Sequence, residues 1–479
     1  MTTSLPNDVL LLIGEHLNQQ DRWNLLFVSK HFHDLFLPFF SHSVALHNWH
    51  GTLSFIRAIS KRPSLARAVR QLDLDAWKSR SVSDDERAQI RDSVQLRDWL
   101  TAVSDSEDDR LQWRKDLQNG FGDPWIALVL PQLVQLKRLR LTYASNTPFL
   151  DRLMQRAVNP KTPIDGRPIL GRLREVSLRH QEDLDRPKNQ DDAELEDRSS
   201  PSSSSLILPF FQLPSVQTLR AESVIDPSSG TSGTSEDEEN TEEQWAPGFS
   251  SIKEIDLRSS NGNHGMESLI ASCADLRSFK YQHTDAHIVS HGYQPSAFYR
   301  SLTRSKNSLQ TLWLDQHGDH YPFTAAGLNQ THDEWFGSLA GFVALRQVRI
   351  RLPNLLDIRY QNQPSTPLVD CLPPTLETLY IEGCEERNLS MLASQLQTVI
   401  KNRQAKVPQL HRVDIEGAFH DDPSDDSGHS ESSPNECPES MIKDKILQAA
   451  EPLHVDCLNA GIELHLHDRM CSAPTEVSW

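Results

Sequence analysis

One short spacing of apolar residues, apolar-x-x-apolar-x-apolar, returns ten times between residues 69 and 415. It reads V-R-Q-L-D-L (69–74), L-K-R-L-R-L (136–141), L-R-E-V-S-L (173–178), V-Q-T-L-R-A (216–221) and I-K-E-I-D-L (252–257). It continues as L-R-S-F-K-Y (276–281), L-Q-T-L-W-L (309–314), L-R-Q-V-R-I (345–350), L-E-T-L-Y-I (376–381) and L-H-R-V-D-I (410–415). A further strand is predicted at I-E-L-H-L (462–466). Alternation in the last three positions marks a short strand with one buried face. Amphipathic stretches such as M-E-S-L-I-A-S-C-A-D-L (266–276) and N-L-S-M-L-A-S-Q-L-Q-T-V-I-K (388–401) lie between the strands. Strand, helix, strand with one repeated pattern predicts parallel strands joined by helical crossovers.

The pattern resembles a leucine-rich-repeat solenoid, in which each repeat buries its face only against its neighbours. Most successive strands lie 24 to 43 residues apart, often more than such repeats usually allow. The Asn or Cys that such repeats carry after the strand is nearly absent; Cys384 comes close, but Ala144, Gln181, Ser260 and Ala418 hold the place. The resemblance therefore implies an irregular solenoid, with the long step between the first two strands holding extra helices around 83–118.

The first forty residues follow a different rule. Pro6 sits where a helix would start, with Asn7 and Asp8 in its first turn. Val9, Ile13 and Leu17 then share one face. Asp21 is read as the N-cap of a second helix carrying Leu25 and Val28, and Ser29 as the cap of a third with Phe32 and Leu35. So small a unit cannot bury that many apolar side chains alone, so the surplus must meet another surface. The order L-P-x-D-V-L, I-x-x-x-L, D, L, V-S-K-x-F-x-x-L over residues 4–45 resembles the F-box. Leu5, Pro6, Val9, Ile13, Leu17, Leu25, Val28, Ser29 and Phe32 match it one by one, while Arg22-Trp23 departs from it. The resemblance implies docking on the Skp adaptor and, through it, a cullin of a ubiquitin ligase. The expected fold is thus α/β: all-α F-box helices at 1–50, then a leucine-rich-repeat-like solenoid with parallel strands at 51–479.

Composition bounds the partners. Asp plus Glu number 66 against 48 Lys plus Arg, which argues against a nucleic-acid partner. Asp8 and Glu15 interrupt the first apolar stretch, so it is not read as a signal peptide. W-I-A-L-V-L (125–130) is a buried-core run, too short to span a membrane. Cys273, Cys371, Cys384, Cys437, Cys457 and Cys471 lack C-x-x-C spacing, which excludes a zinc motif and points to a reducing compartment, cytoplasm or nucleus. Stretches at 182–205, 226–247 and 420–440 are acidic and poor in apolar residues, so disorder is expected there, with all three leaving one edge of the solenoid.

Catalytic motifs are missing: no phosphate loop, dinucleotide fingerprint, nucleophile elbow or H-E-x-x-H occurs. His317 to His320 form a ligand-rich loop without a closing ligand, so neither metal nor cofactor is expected. The strands instead offer a binding surface. The residue between the second and third apolar positions points outward; in order these are Asp73, Arg140, Ser177, Arg220, Asp256, Lys280, Trp313, Arg349, Tyr380 and Asp414. Lys280, Trp313, Arg349 and Tyr380 would form one row of residue types that dominate interface hot spots, and are the candidate target-binding residues. The expected function is a non-catalytic substrate receptor of a cullin ubiquitin ligase, its target protein unspecified; the alternative is a leucine-rich-repeat scaffold with no ubiquitin role.

Overall fold

A computed structural model of the 479-residue chain describes residues 5–40, 42–74, 94–143, 147–159, 166–180, 204–225, 247–262, 264–283, 293–316, 332–358, 363–419 and 442–468. The chain divides into two compact units, Met1–Glu222 and Ser223–Trp479. The stretches predicted as acidic inserts lie almost wholly outside the described residues. The exceptions are Pro247 and the pair Ser204–Ser205, which opens a helix, Ser204–Gln212.

The first unit begins with three helices, α1 (Asn7–His16), α2 (Gln19–Leu25) and α3 (Lys30–Phe40). Five parallel strands follow in sequence order: β1 (Ser43–Leu46), β2 (Gln71–Leu74), β3 (Arg138–Tyr143), β4 (Glu175–His180) and β5 (Thr218–Glu222). The apolar spacing does not announce β1, because S-V-A-L lacks the preceding leucines and only Leu46 is buried. Its entry nevertheless follows the rule of the others: the His42 carbonyl accepts from Arg70 N and Gln71 N at 2.9 and 2.8 Å. The long step between β2 and β3 holds the expected extra helices, Val94–Val103 and Glu107–Asn119, and a third, Gly122–Val129, built on the W-I-A-L-V-L run. Trp113 and Trp125 are fully buried there. The Asp123 carboxylate accepts from Phe149 N and Leu150 N at 2.7 and 3.0 Å, tying this layer to the next crossover helix, Pro148–Val158.

The second unit carries seven parallel strands, again in sequence order: β6 (Glu254–Ser260), β7 (Ser278–His283), β8 (Thr311–Gln316), β9 (Gln347–Arg351), β10 (Thr378–Cys384), β11 (Arg412–Gly417) and β12 (Glu463–Asp468). Each begins within the apolar spacing that predicted it. Two inner ladders run through the unit in register. One passes Ile255, Phe279, Leu312, Val348, Leu379, Val413 and Leu464; the other passes Leu257, Tyr281, Leu314, Ile350, Ile381, Ile415 and Leu466. The helices Glu386–Lys401 and Asp444–Ala460 cover the last strands with Leu389, Leu392, Leu396, Ile446 and Leu453. No helix among the described residues is long and apolar enough to cross a membrane.

Two glycines of this unit separate backbone strain from space. Gly265 (φ 78°) lies so close to the helix Pro295–Leu302 that an added Cβ would meet the Ala297 carbonyl carbon at 2.5 Å. Gly461 (φ 66°) ends the helix Asp444–Ala460 with nothing within 4 Å of an added Cβ. Both Gly→Ala changes strain the backbone, but Gly265→Ala should cost at least about 1 kcal/mol more in urea unfolding. Equal costs would show that the helix yields freely at Ala297.

Candidate functional sites

The three N-terminal helices are shaped by local chemistry. Pro6 precedes α1 with extended backbone, and Asp8 occupies the first turn. Asn18, not Asp21, caps α2: its Oδ1 accepts from Asp21 N at 2.8 Å, while its Nδ2 donates to the Asp21 carboxylate at 2.7 Å. This corrects the sequence reading. The extended residue closes the helix, and the acid three places on reciprocates. Ser29 caps α3 as expected, accepting from Phe32 N at 3.2 Å. Leu26 and Phe36 fill the small core, with Gly14 pressed against the Phe36 ring.

Much of the remaining apolar surface faces outward. Leu5, Val9, Leu12, Ile13, Trp23, Phe27 and Val28 are exposed, Phe27 to 72% and Val28 to 62%. Of the residues singled out from sequence, Leu5, Pro6, Val9, Ile13, Val28 and Ser29 are exposed, while Leu17, Leu25 and Phe32 are half-buried. Leu12, Trp23 and Phe27 were not singled out. Trp23 and Phe27 lie four residues apart, a helical spacing visible in the sequence, and their ring centroids meet at 5.6 Å.

In the second unit the strand register brings the residues of the predicted row together, with Asp256 and Asp414 buried rather than exposed. Register places Asp256, Lys280, Trp313, Arg349, Tyr380, Asp414 and then His465 side by side. The Lys280 ammonium sits 3.7 Å above the Trp313 ring. The Arg349 guanidinium lies 5.9 Å from that ring and 4.5 Å from the Tyr380 ring. Tyr380 stacks on His467 with centroids 5.5 Å apart. Cations and rings thus alternate along the row, each cation lying against a π face. Lys280, Trp313, Arg349 and Tyr380 are all half-buried.

The next outward row, which the sequence reading did not weigh, supplies the counter-charges. Arg349 is hydrogen-bonded to Glu382 and lies 3.7 Å from Asp315 and 3.8 Å from Glu416. Glu382 is buried; burial and Asp315 hold its carboxyl well above the usual range, against the pull of Arg349. Burial alone would depress the Arg349 pKa, but Glu382 and Asp315 more than reverse this and keep the guanidinium charged. The Tyr380 hydroxyl donates to Glu416 at 2.7 Å, and burial with that carboxylate raises its pKa. At the far end burial favours the neutral form of Asp414, yet His467 at 2.8 Å and Arg412 outweigh it and bring its pKa down to about 2.

Among the described residues no group of three or more His, Cys, Asp or Glu could hold a metal ion; His317 to His320 lie outside them. Cys273, Cys371, Cys384 and Cys457 are free and buried. Burial pushes the thiols of Cys273 and Cys384 up to about 12 and those of Cys371 and Cys457 up to about 11, leaving them unreactive. Cys437 and Cys471 lie outside the described residues.

A family model for a leucine-rich repeat domain matches residues 50–419. No curated protein matches the chain.

Removing the shared cation should expose the acids to one another. Arg349→Met is expected to lower stability by about 3 kcal/mol at neutral pH, the scale of breaking a largely desolvated ion pair. Without the guanidinium, the folded pKa of Glu382, already raised by burial and Asp315, rises further above its unfolded value. The folded variant then binds more protons than the unfolded one, so its deficit shrinks as pH falls. Denaturant unfolding at pH 7.5 and pH 5 reads this, and a pH-independent deficit would overturn it.

Proposed function

The chain belongs to the leucine-rich repeat family, and from that premise we propose that it is a non-catalytic substrate receptor. In this reading residues 1–50 are an F-box that docks on the Skp adaptor and so on a cullin, while residues 51–479 hold a target protein. The receptor's contribution is proximity: tethering raises the effective concentration of target lysines near the ubiquitin-carrying enzyme. The carrying observation is the exposed apolar face of α1–α3, because Leu5, Val9, Ile13 and Val28 are at once the residues of the F-box order and unburied. A second support is the cation and aromatic row on β7–β10, composed of the side chains that anchor protein interfaces. The alternative, a repeat scaffold outside ubiquitin transfer, shares the row but gives the N-terminal face no adaptor.

Leu5→Ala with Pro6→Ala should abolish co-purification of the Skp adaptor with the tagged full-length protein. Phe27→Ala with Val28→Ala should do the same. All four residues are exposed, so melting temperature should hold. Adaptor retained by both double variants would remove this face from the proposal, and adaptor never captured by the parent would favour the scaffold. At the row, Trp313→Ala should weaken target capture by roughly 1–4 kcal/mol. Capture is read by affinity purification with the proteasome blocked, and unchanged capture would show that the target binds elsewhere.

A further inference from the structure

The first unit carries a cationic edge that neither the adaptor face nor the row of the second unit uses. The residue after the first apolar position of the repeat is Arg70, Lys137 and Arg174 at three successive strand entries. Their backbones are joined directly: Lys137 N donates to the Arg70 carbonyl at 2.7 Å, and Arg174 N to the Lys137 carbonyl at 2.8 Å. All three side chains are exposed and have no hydrogen-bond or ion-pair partner among the described residues. Their neighbours behave differently: Arg138 pairs with Glu175 at 2.8 Å and Arg140 with Asp73 at 3.1 Å. Three unpaired cations at adjacent strand entries, roughly 4.8 Å apart, repel one another unless an anion comes between them. This occurs in a chain of net charge −18.

A cavity of about 400 Å³ opens at the same edge. Its lining segments, Pro63–Arg67, Pro131–Val134 and Arg167–Ile169, each run straight into one of the three strand entries. The floor is apolar and buried, made by Ile59, Ala66, Trp99 and Ile169. Two more exposed arginines, Arg67 and Arg167, stand at its rim, likewise without partners among the described residues; Asp98 is the one acid among the described residues of the lining.

We propose that this edge docks an acidic segment of a partner protein, its carboxylates spanning Arg70, Lys137 and Arg174 and one apolar side chain entering the cavity over Trp99. The apolar floor distinguishes such a peptide from nucleic acid, and the protein's negative net charge repels a long polyanion from a distance.

The test uses the full-length protein and a labelled short peptide of alternating Glu and Asp around one central leucine, read by fluorescence anisotropy. Arg70→Ala/Lys137→Ala/Arg174→Ala should raise Kd about tenfold or more at about 50 mM salt without lowering the melting temperature. Binding by the parent should weaken steeply between about 50 and about 200 mM salt, and binding by the triple variant much less. Replacing the central leucine by glycine should weaken binding by about threefold or more, the scale of losing one buried apolar side chain. Trp313→Ala should change nothing, which separates this edge from the target row. The proposal falls if the parent does not bind the peptide, if the triple variant binds as the parent does, or if leucine and glycine peptides bind alike. It falls equally if a short single-stranded DNA binds more tightly than the peptide. Peptide binding that emerges only after deletion of 226–246 would assign the edge to the chain's own acidic stretch instead.

Discussion

Each strand in this protein offers two or three side chains inward, and they stay dry only because the next strand offers matching ones at the same register. Leu72 meets Leu139, which meets Val176 and then Leu219; Phe279 meets Leu312, which meets Val348. Full burial of one such side chain contributes about 1.5–3 kcal/mol, while ordering each residue costs about 1–2 kcal/mol. No single repeat closes that difference, so stability accrues only by stacking. The register is correspondingly strict. A slip of one residue would turn every leucine to solvent.

Strict inner register fixes the outer face as well. With Leu312 and Leu314 held inward, Trp313 has no choice of side, and the same holds for Lys280, Arg349 and Tyr380. Their chemistry is then settled by neighbours two residues on. Asp315, Glu382 and Glu416 converge on Arg349, and the cation in turn sits between two aromatic rings. The row is a rigid surface because its central cation is held from below by charge and from both sides by π faces. Side chains ordered in advance lose less entropy on binding.

The period-two pattern made this much legible in the sequence: every strand from β2 to β12, their parallel order, and the identity and succession of the outer row. Less local features were not. β1 lacks leucine spacing and is recruited by hydrogen bonds from Arg70 and Gln71 to His42, a pairing across a crossover. The acidic residues beneath Arg349 come from three different strands, each an ordinary exposed position when read alone. Asn18 displaced Asp21 as a cap because both residue types suit that role, and only backbone conformation decides between them. On the N-terminal helices the exposed Phe27 and Trp23 stood in the sequence at helical spacing. Their exposure follows from how few residues the three-helix core has to cover them.

The surfaces so defined differ in the physics by which they can hold a partner. The face of α1–α3 is apolar: Leu12, Phe27 and Val28 gain by leaving water, a driving force that added salt does not screen. The edge at Arg70, Lys137 and Arg174 is cationic and exposed beside its apolar cavity, so whatever its charges hold must loosen as the Debye length shrinks from about 10 Å at 0.1 M salt to about 3 Å at 1 M. The row at Trp313 and Tyr380 lies between these limits, since its central cation, Arg349, is half-buried and already neutralised by Glu382, Asp315 and Glu416. Salt dependence therefore reports which surface a given partner occupies. One that stays bound at high ionic strength and is lost with Phe27 belongs to the helices, whereas one released by salt belongs to the cationic edge.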